Sequence, residues 1–132
     1  MPTSPGIELG KLGEQYAAAY IEQLGYLLVA ANFTLPVGRN LRGATVNAEI
    51  DLVAYDGDTL CFIEVKTRAS DWFAPPQANI DLRKRRQLAR AAREYRRLFE
   101  LEDQPFRFDV VTVVLAEPGS PELELLQNYF SV

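Results

Sequence analysis

The chain predicts an α/β protein built as α-β-β-β-α-β, a mixed sheet flanked by helices, on three observations. Two long segments with apolar residues at helical spacing bracket a run of β-favouring sequence. An Asp56-Gly57-Asp58 turn joins two strand-like stretches into an antiparallel hairpin. A valine-rich stretch then follows the second helix, as expected of a strand covered on both faces. A hairpin beside strands linked through a helix implies a mixed sheet with helices on its faces.

From Glu8 to about Leu24, Leu9, Leu12, Tyr16, Ala19, Tyr20 and Leu24 recur at helical spacing, and Gly25 is a stop. Leu27 to Ala30 reads as the first strand. Residues 34–45, with Pro36, Gly38 and Gly43, have the breakers of a loop, expected to move. Strands are expected at about Val46–Tyr55 and Thr59–Arg68. Ser70 to Pro76 reads as a loop whose Trp72 and Phe73 close over the core. The second helix is expected from about Ile80 to Leu101, with Leu82, Leu88, Ala92, Tyr95 and Phe99 facing inward. Phe106 to Leu115 is the valine-rich strand, and Glu122 to Phe130 a short edge strand. The first few residues are expected to be flexible, and the whole of residues 1–132 to form one domain, in keeping with a 132-residue chain that is 48% hydrophobic and 24% charged.

Composition narrows the chemistry. The chain has no histidine, which excludes Ser-His-Asp and Cys-His nucleophilic machinery and HExxH zinc sites. Acid–base or metal chemistry must therefore use carboxylates and lysine, a donor set suited to Mg²⁺ or Mn²⁺ rather than zinc or copper. The lone Cys61 falls in a strand and reads as a small core residue. There is no run of about 18 apolar residues and no signal-peptide pattern, so the expectation is a cytoplasmic protein without a membrane partner. A net charge of −4 argues against a protein that coats nucleic acid. Eight of the fourteen basic residues nevertheless lie between Arg83 and Arg97. Among them Arg83, Arg86, Arg90, Arg93 and Arg97 follow steps of three and four and form one stripe. A solvated face is the plain explanation. Like charges at that spacing cost stability, however, and a stripe of one sign suits phosphate contacts that position a nucleic acid without reading its sequence.

The chemistry-bearing residues are Glu49-Ile50-Asp51 on one strand of the hairpin and Glu64-Val65-Lys66 on the next. Residues two apart on a strand share a face, so Glu49 is expected beside Asp51 and Glu64 beside Lys66. Cross-strand neighbours lie about 5 Å apart, near enough for Asp51 and Glu64 to share one divalent ion. Lys66 then falls where it can orient or deprotonate a metal-bound water or stabilise charge developing on a phosphate. A Glu-x-Lys pair alone is usually a solvated pair of little energetic value. A pure scaffold, though, has no physical need for this charge cluster.

These residues resemble the PD-(D/E)xK, restriction-endonuclease-like superfamily. More closely, the chain is similar to the small bacterial YraN-like proteins, uncharacterised protein family 0102, themselves similar to Holliday junction resolvases. The likeness runs through Gly10-x-x-Gly13-Glu14-x-x-Ala17, Gly25-Tyr26 with Asn32, Glu49-Ile50-Asp51-Leu52-Val53-Ala54 and Ile63-Glu64-Val65-Lys66-Thr67-Arg68. It continues through Lys84-Arg85 and Arg107-Phe108-Asp109-Val110-Val111. The resemblance implies a restriction-endonuclease-like core, with Asp51, Glu64 and Lys66 catalytic, Asp51, Glu64 and Glu14 as ligands of Mg²⁺ or Mn²⁺, and Glu49 an accessory acid. It further implies an endonuclease hydrolysing phosphodiester bonds, on branched or repair intermediates, with DNA preferred over RNA. Arg68 joins the arginine stripe as a nucleic-acid contact. Symmetric cutting of two strands admits a homodimer as a partner. Ala48 stands where the family usually has glycine, and the connection between the first two strands is longer than usual. The competing function is a non-catalytic nucleic-acid- or partner-binding protein that retains the fold.

Overall fold

The structure is a computed structural model that describes residues 5–69, 79–115 and 120–131. Its elements run α1 (Pro5–Gln23), β1 (Leu27–Arg39), β2 (Thr45–Asp56), β3 (Thr59–Arg68), α2 (Leu82–Leu98), β4 (Phe106–Val114) and β5 (Glu122–Phe130). The five strands form one sheet in chain order. All neighbours are antiparallel except β3 and β4, which α2 joins as a parallel crossover. This is the predicted α/β architecture, and the edge strand expected at the end is present as β5. No helix among the described residues is long and apolar enough to cross a membrane.

The sheet separates two apolar layers. Strand alternation sends Leu60 and Phe62 of β3 beneath α2, against Leu88, Ala91, Ala92 and Tyr95, while Cys61, Ile63 and Val65 go beneath α1, against Ala17 and Ile21. On β4, Phe108 and Val110 join the first layer and Val111 and Val113 the second, which explains its unbroken apolar sequence. Phe62 meets Tyr95 edge to face, with ring centroids 5.5 Å apart.

Three expectations are corrected. On α1 the buried positions are Gly13, Ala17 and Ile21, whereas Leu12, Tyr16 and Leu24 are exposed. Small residues let the helix sit close to β3, and a Cβ on Gly13 would lie 1.8 Å from Thr67 Oγ1. Bulky side chains on the neighbouring stripe are therefore turned outward.

Second, residues 34–45 are mostly strand. Pairing of β1 with β2 runs through Leu35 with Ala48 and Pro36 with Asn47 to Arg39 with Thr45, leaving only residues 40–44 as the connecting turn. Pro36 is tolerated because β1 is an edge strand, and a register shift between Pro36 and Gly38 absorbs the glycine.

Third, α2 begins at Leu82, because the Asp81 side chain accepts the Lys84 N–H at 2.8 Å and caps the helix. Leu82 and Phe99 are exposed, and Ala91 takes the inward place. Trp72, Phe73 and the first four residues lie outside the described residues.

Candidate functional site

The site forms where β2 and β3 part. Their pairing runs from Asp56 with Thr59 to Leu52 with Ile63 and stops there, while β3 continues beside β4 to Arg68. At the same level β2 breaks its alternation: Ile50 lies in the layer under α2 and Leu52 in the layer under α1. Strict period two would keep both on one face. On β1, Ala30 and Phe33 both pack toward α2 although three residues apart, with Asn32 between them at φ 51°. Two paired strands thus change face together, and Asp51 sits at the change. Its Oδ2 accepts the Val65 N–H at 2.9 Å, closing the gap left by the lost pairing.

Glu49 and Asp51 were expected to meet by simple alternation, and they do: Ala48 and Ile50 keep the alternation up to Asp51, and Glu14 of α1 joins the pair, so that carboxylate oxygens of Glu14, Glu49 and Asp51 all lie within 4.8 Å of one another. Glu14 reaches them because Gly13 brings its helix turn onto Thr67, and Asn32, held in the left-handed region, stands beside the Glu14 side chain and favours its charged form. Burial, then the Asp51 carboxylate, raises the pKa of Glu14. A cleft of about 260 Å³ opens beside it, lined by Lys11, Gln15, Ala31, Asn32 and Leu52. Three carboxylates are a donor set of the kind a hard divalent ion takes.

Glu64 faces the other way. It is 6% exposed, and its Oε2 has no hydrogen-bond partner among the described residues. The nearest cation is Lys84 of α2, with Nζ 3.6 Å from Oε2. Burial, then repulsion from the Asp51 carboxylate, pushes the Glu64 pKa up to about 7, against the attraction of Lys84 and Lys66. The structure therefore groups Glu49, rather than Glu64, with Glu14 and Asp51, and holds Glu64 next to Asp51 on the α2 side. Lys66, two residues on, is half-buried on that same face. Lys84 was not singled out as a site residue in the sequence. The available signal was its place in the first turn of α2, where the helix dipole disfavours a cation that has no anion to meet.

The arginine stripe is present: Arg83, Arg86, Arg90, Arg93 and Arg97 are all exposed on one face of α2. They differ in engagement. Arg90 donates to the Val37 carbonyl oxygen at 2.9 Å, and Arg97 lies 4.0 Å from Glu94. Arg93 borders a shallow cleft with Arg96, whose guanidinium stacks 3.8 Å above the Phe106 ring. Arg68 is half-buried at the end of β3.

Away from the carboxylates, Asp109 is fully buried. It accepts from Arg107 Nε at 2.9 Å, from the Tyr26 hydroxyl at 3.0 Å and from the Asn128 N–H at 2.8 Å. That satisfied network ties β4 to β5 and to the start of β1, in keeping with the structural role read for Asp109. Cys61 is fully buried in the layer under α1, the core place expected for it, and burial pushes its thiol up to about 12.

A five-stranded mixed sheet with this element order, and a carboxylate cluster at the parting of its antiparallel hairpin, is consistent with a restriction-endonuclease-like core. The family model described as "Uncharacterised protein family UPF0102" matches residues 13–113, a span that holds Glu14, Glu49, Asp51, Glu64, Lys66 and Lys84. The chain belongs to that family. It is 41% identical over 121 residues to a UPF0102 protein of Solibacter usitatus, covering 92% of this chain and 84% of the relative. A UPF0102 protein of Koribacter versatilis is 39% identical over 124 residues (94% and 80%), and one of Bacteroides thetaiotaomicron is 38% identical over 123 residues (93% and 92%).

Proposed function

We propose that the protein is a divalent-metal-dependent endonuclease that hydrolyses phosphodiester bonds in DNA. The observation that carries this reading is the convergence of Glu14, Glu49 and Asp51 within 4.8 Å, beside a buried Glu64 with an unbonded oxygen. Like charges at this density are unfavourable and persist when they serve an ion or a proton. Glu14, Glu49 and Asp51 are the residues that would hold Mg²⁺ or Mn²⁺; when bound, such an ion supplies a polarised phosphoryl oxygen and an acidified water. Asp51, fixed by Val65, orients the cluster. Glu64 places a carboxylate next to Asp51, and Lys66 supplies positive charge for the phosphate oxygens.

The second reading, a binding protein that keeps the fold, is favoured by Lys84, which already stands against Glu64 as an internal cation. Purified protein incubated with Mn²⁺ or Mg²⁺ and single-stranded, duplex, flapped and four-way-junction DNAs separates the two readings. Metal-dependent products that a Glu64→Gln preparation fails to give support the nuclease. A folded, Mn²⁺-binding protein that cuts none of them supports the binding module.

A further inference from the structure

The segment expected as a loop between the first two strands is instead a β-arm that stands against α2. Between arm and helix runs a groove of about 530 Å³. Val37 and Val46 of the arm and Leu82 of α2 give it apolar walls, and Arg83, Arg86 and Arg90 line it. The three arginines have separate tasks. Arg90 clamps the arm through Val37 O, and Gly38 permits the approach, since a Cβ there would lie 2.8 Å from Arg90 Nη2. Arg83 and Arg86 have no hydrogen bond or ion pair among the described residues. They lie three apart on the helix, about 5–6 Å between Cβ atoms, an arrangement that costs stability when nothing anionic sits between them.

We propose that this groove holds one unpaired nucleic-acid strand, with phosphates on Arg83 and Arg86 and bases against Val37, Val46 and Leu82. The volume is that of a small-ligand pocket, on the order of one or two nucleotides. An unpaired strand exposes both apolar base faces and phosphates, which the aliphatic wall and the arginine rim can meet on opposite sides. Lys84, the residue after Arg83, faces Glu64 from the same helix. That the strand held here is the one cut rests on the nuclease reading; the binding itself does not.

The test is fluorescence anisotropy of a labelled oligothymidine strand and of a blunt duplex, in EDTA, across a salt series. Wild type, Arg83→Ala/Arg86→Ala and Arg93→Ala/Arg97→Ala are compared, the last losing the same charge outside the groove. The expected result is tighter binding of the single strand than of the duplex, at least tenfold weaker binding in the groove variant, and a salt slope smaller by about 1.4, two phosphate contacts' worth. All four positions are exposed, so matched melting temperatures verify folding. Equal losses in the two double variants, or a duplex bound as tightly as the strand, overturn the proposal. Groove-dependent strand binding without any cleavage in Mn²⁺ upholds it while removing the nuclease. Cleavage of single strands by the groove variant at the wild-type rate and KM removes the groove while leaving the nuclease.

Discussion

Replacing Glu64 with glutamine should make the metal-free protein more stable, although it removes a residue of the site. The carboxylate is 6% exposed, one oxygen lacks a hydrogen bond among the described residues, and the nearest described cation stands 3.6 Å away. Burial first, then Asp51, lifts its pKa from 4.5 to about 7. Between those values the folded protein holds a proton that the unfolded chain has released, so unfolding free energy falls as pH rises through the window. At 1.36 kcal/mol per pKa unit the whole window amounts to roughly 3 kcal/mol, a large share of the 5–15 kcal/mol typical of a domain. Glutamine keeps the shape and removes the charge. In EDTA at about pH 8 the Glu64→Gln variant should be more stable by about 1–3 kcal/mol, with the gain vanishing toward pH 4.5. Urea unfolding at a series of pH values measures this, with an unchanged m-value as the check that only stability moved. A variant less stable than wild type at pH 8, or one that loses stability across the window as steeply as wild type, would refute the reasoning.

Three further outcomes follow from the same geometry. Mn²⁺ should raise the thermal midpoint of wild type, by the equivalent of about 2.7 kcal/mol at a hundred times its Kd, and leave Asp51→Asn unmoved; calorimetric scans with and without Mn²⁺ check it. Gly13→Ala should cost about 1–3 kcal/mol in urea unfolding and weaken Mn²⁺ binding as well, because the new Cβ meets Thr67 and pushes the Glu14 turn off β3. Glu100→Gly should add about 1 kcal/mol, since Glu100 closes α2 at φ 56°, where any side chain is strained; a shift in urea midpoint without a change in Mn²⁺ affinity is the expected signature.

The sequence made the α/β order, the hairpin at Asp56–Asp58, the doubly covered β4 and the edge position of β5 legible, because each rests on local pattern. It misplaced the inward stripe of α1, since hydrophobicity favours Leu12 and Tyr16 while packing distance favours Gly13, Ala17 and Ile21. Residues 34–45 looked like a loop because Pro and Gly were weighed by composition. An edge strand with a register shift accommodates both. In the site, Asp51, Glu64 and Lys66 were visible as charged residues in apolar strands. Glu49 beside Asp51 was legible from their two-residue spacing, and Glu14 from the resemblance alone, since its helix is remote in sequence. Lys84 opposite Glu64 depends on where α2 lands after its crossover and is written in no local window.

The change of face after Asp51 sets the charged cluster at the end of the β2–β3 ladder. With the ladder stopped at Leu52 and Ile63, Asp51 replaces a missing backbone partner through Val65 N–H and still borders both sides of the sheet. It meets Glu14 and Glu49 from one direction and Glu64 from the other. Each support of that arrangement is locally unfavourable: Asn32 at positive φ, an interior glycine in α1, an unbonded buried carboxylate, a lysine in the first turn of α2. Four such concessions converging on one point are hard to account for as packing. They are accounted for if the point must bind something more positive than the protein itself supplies.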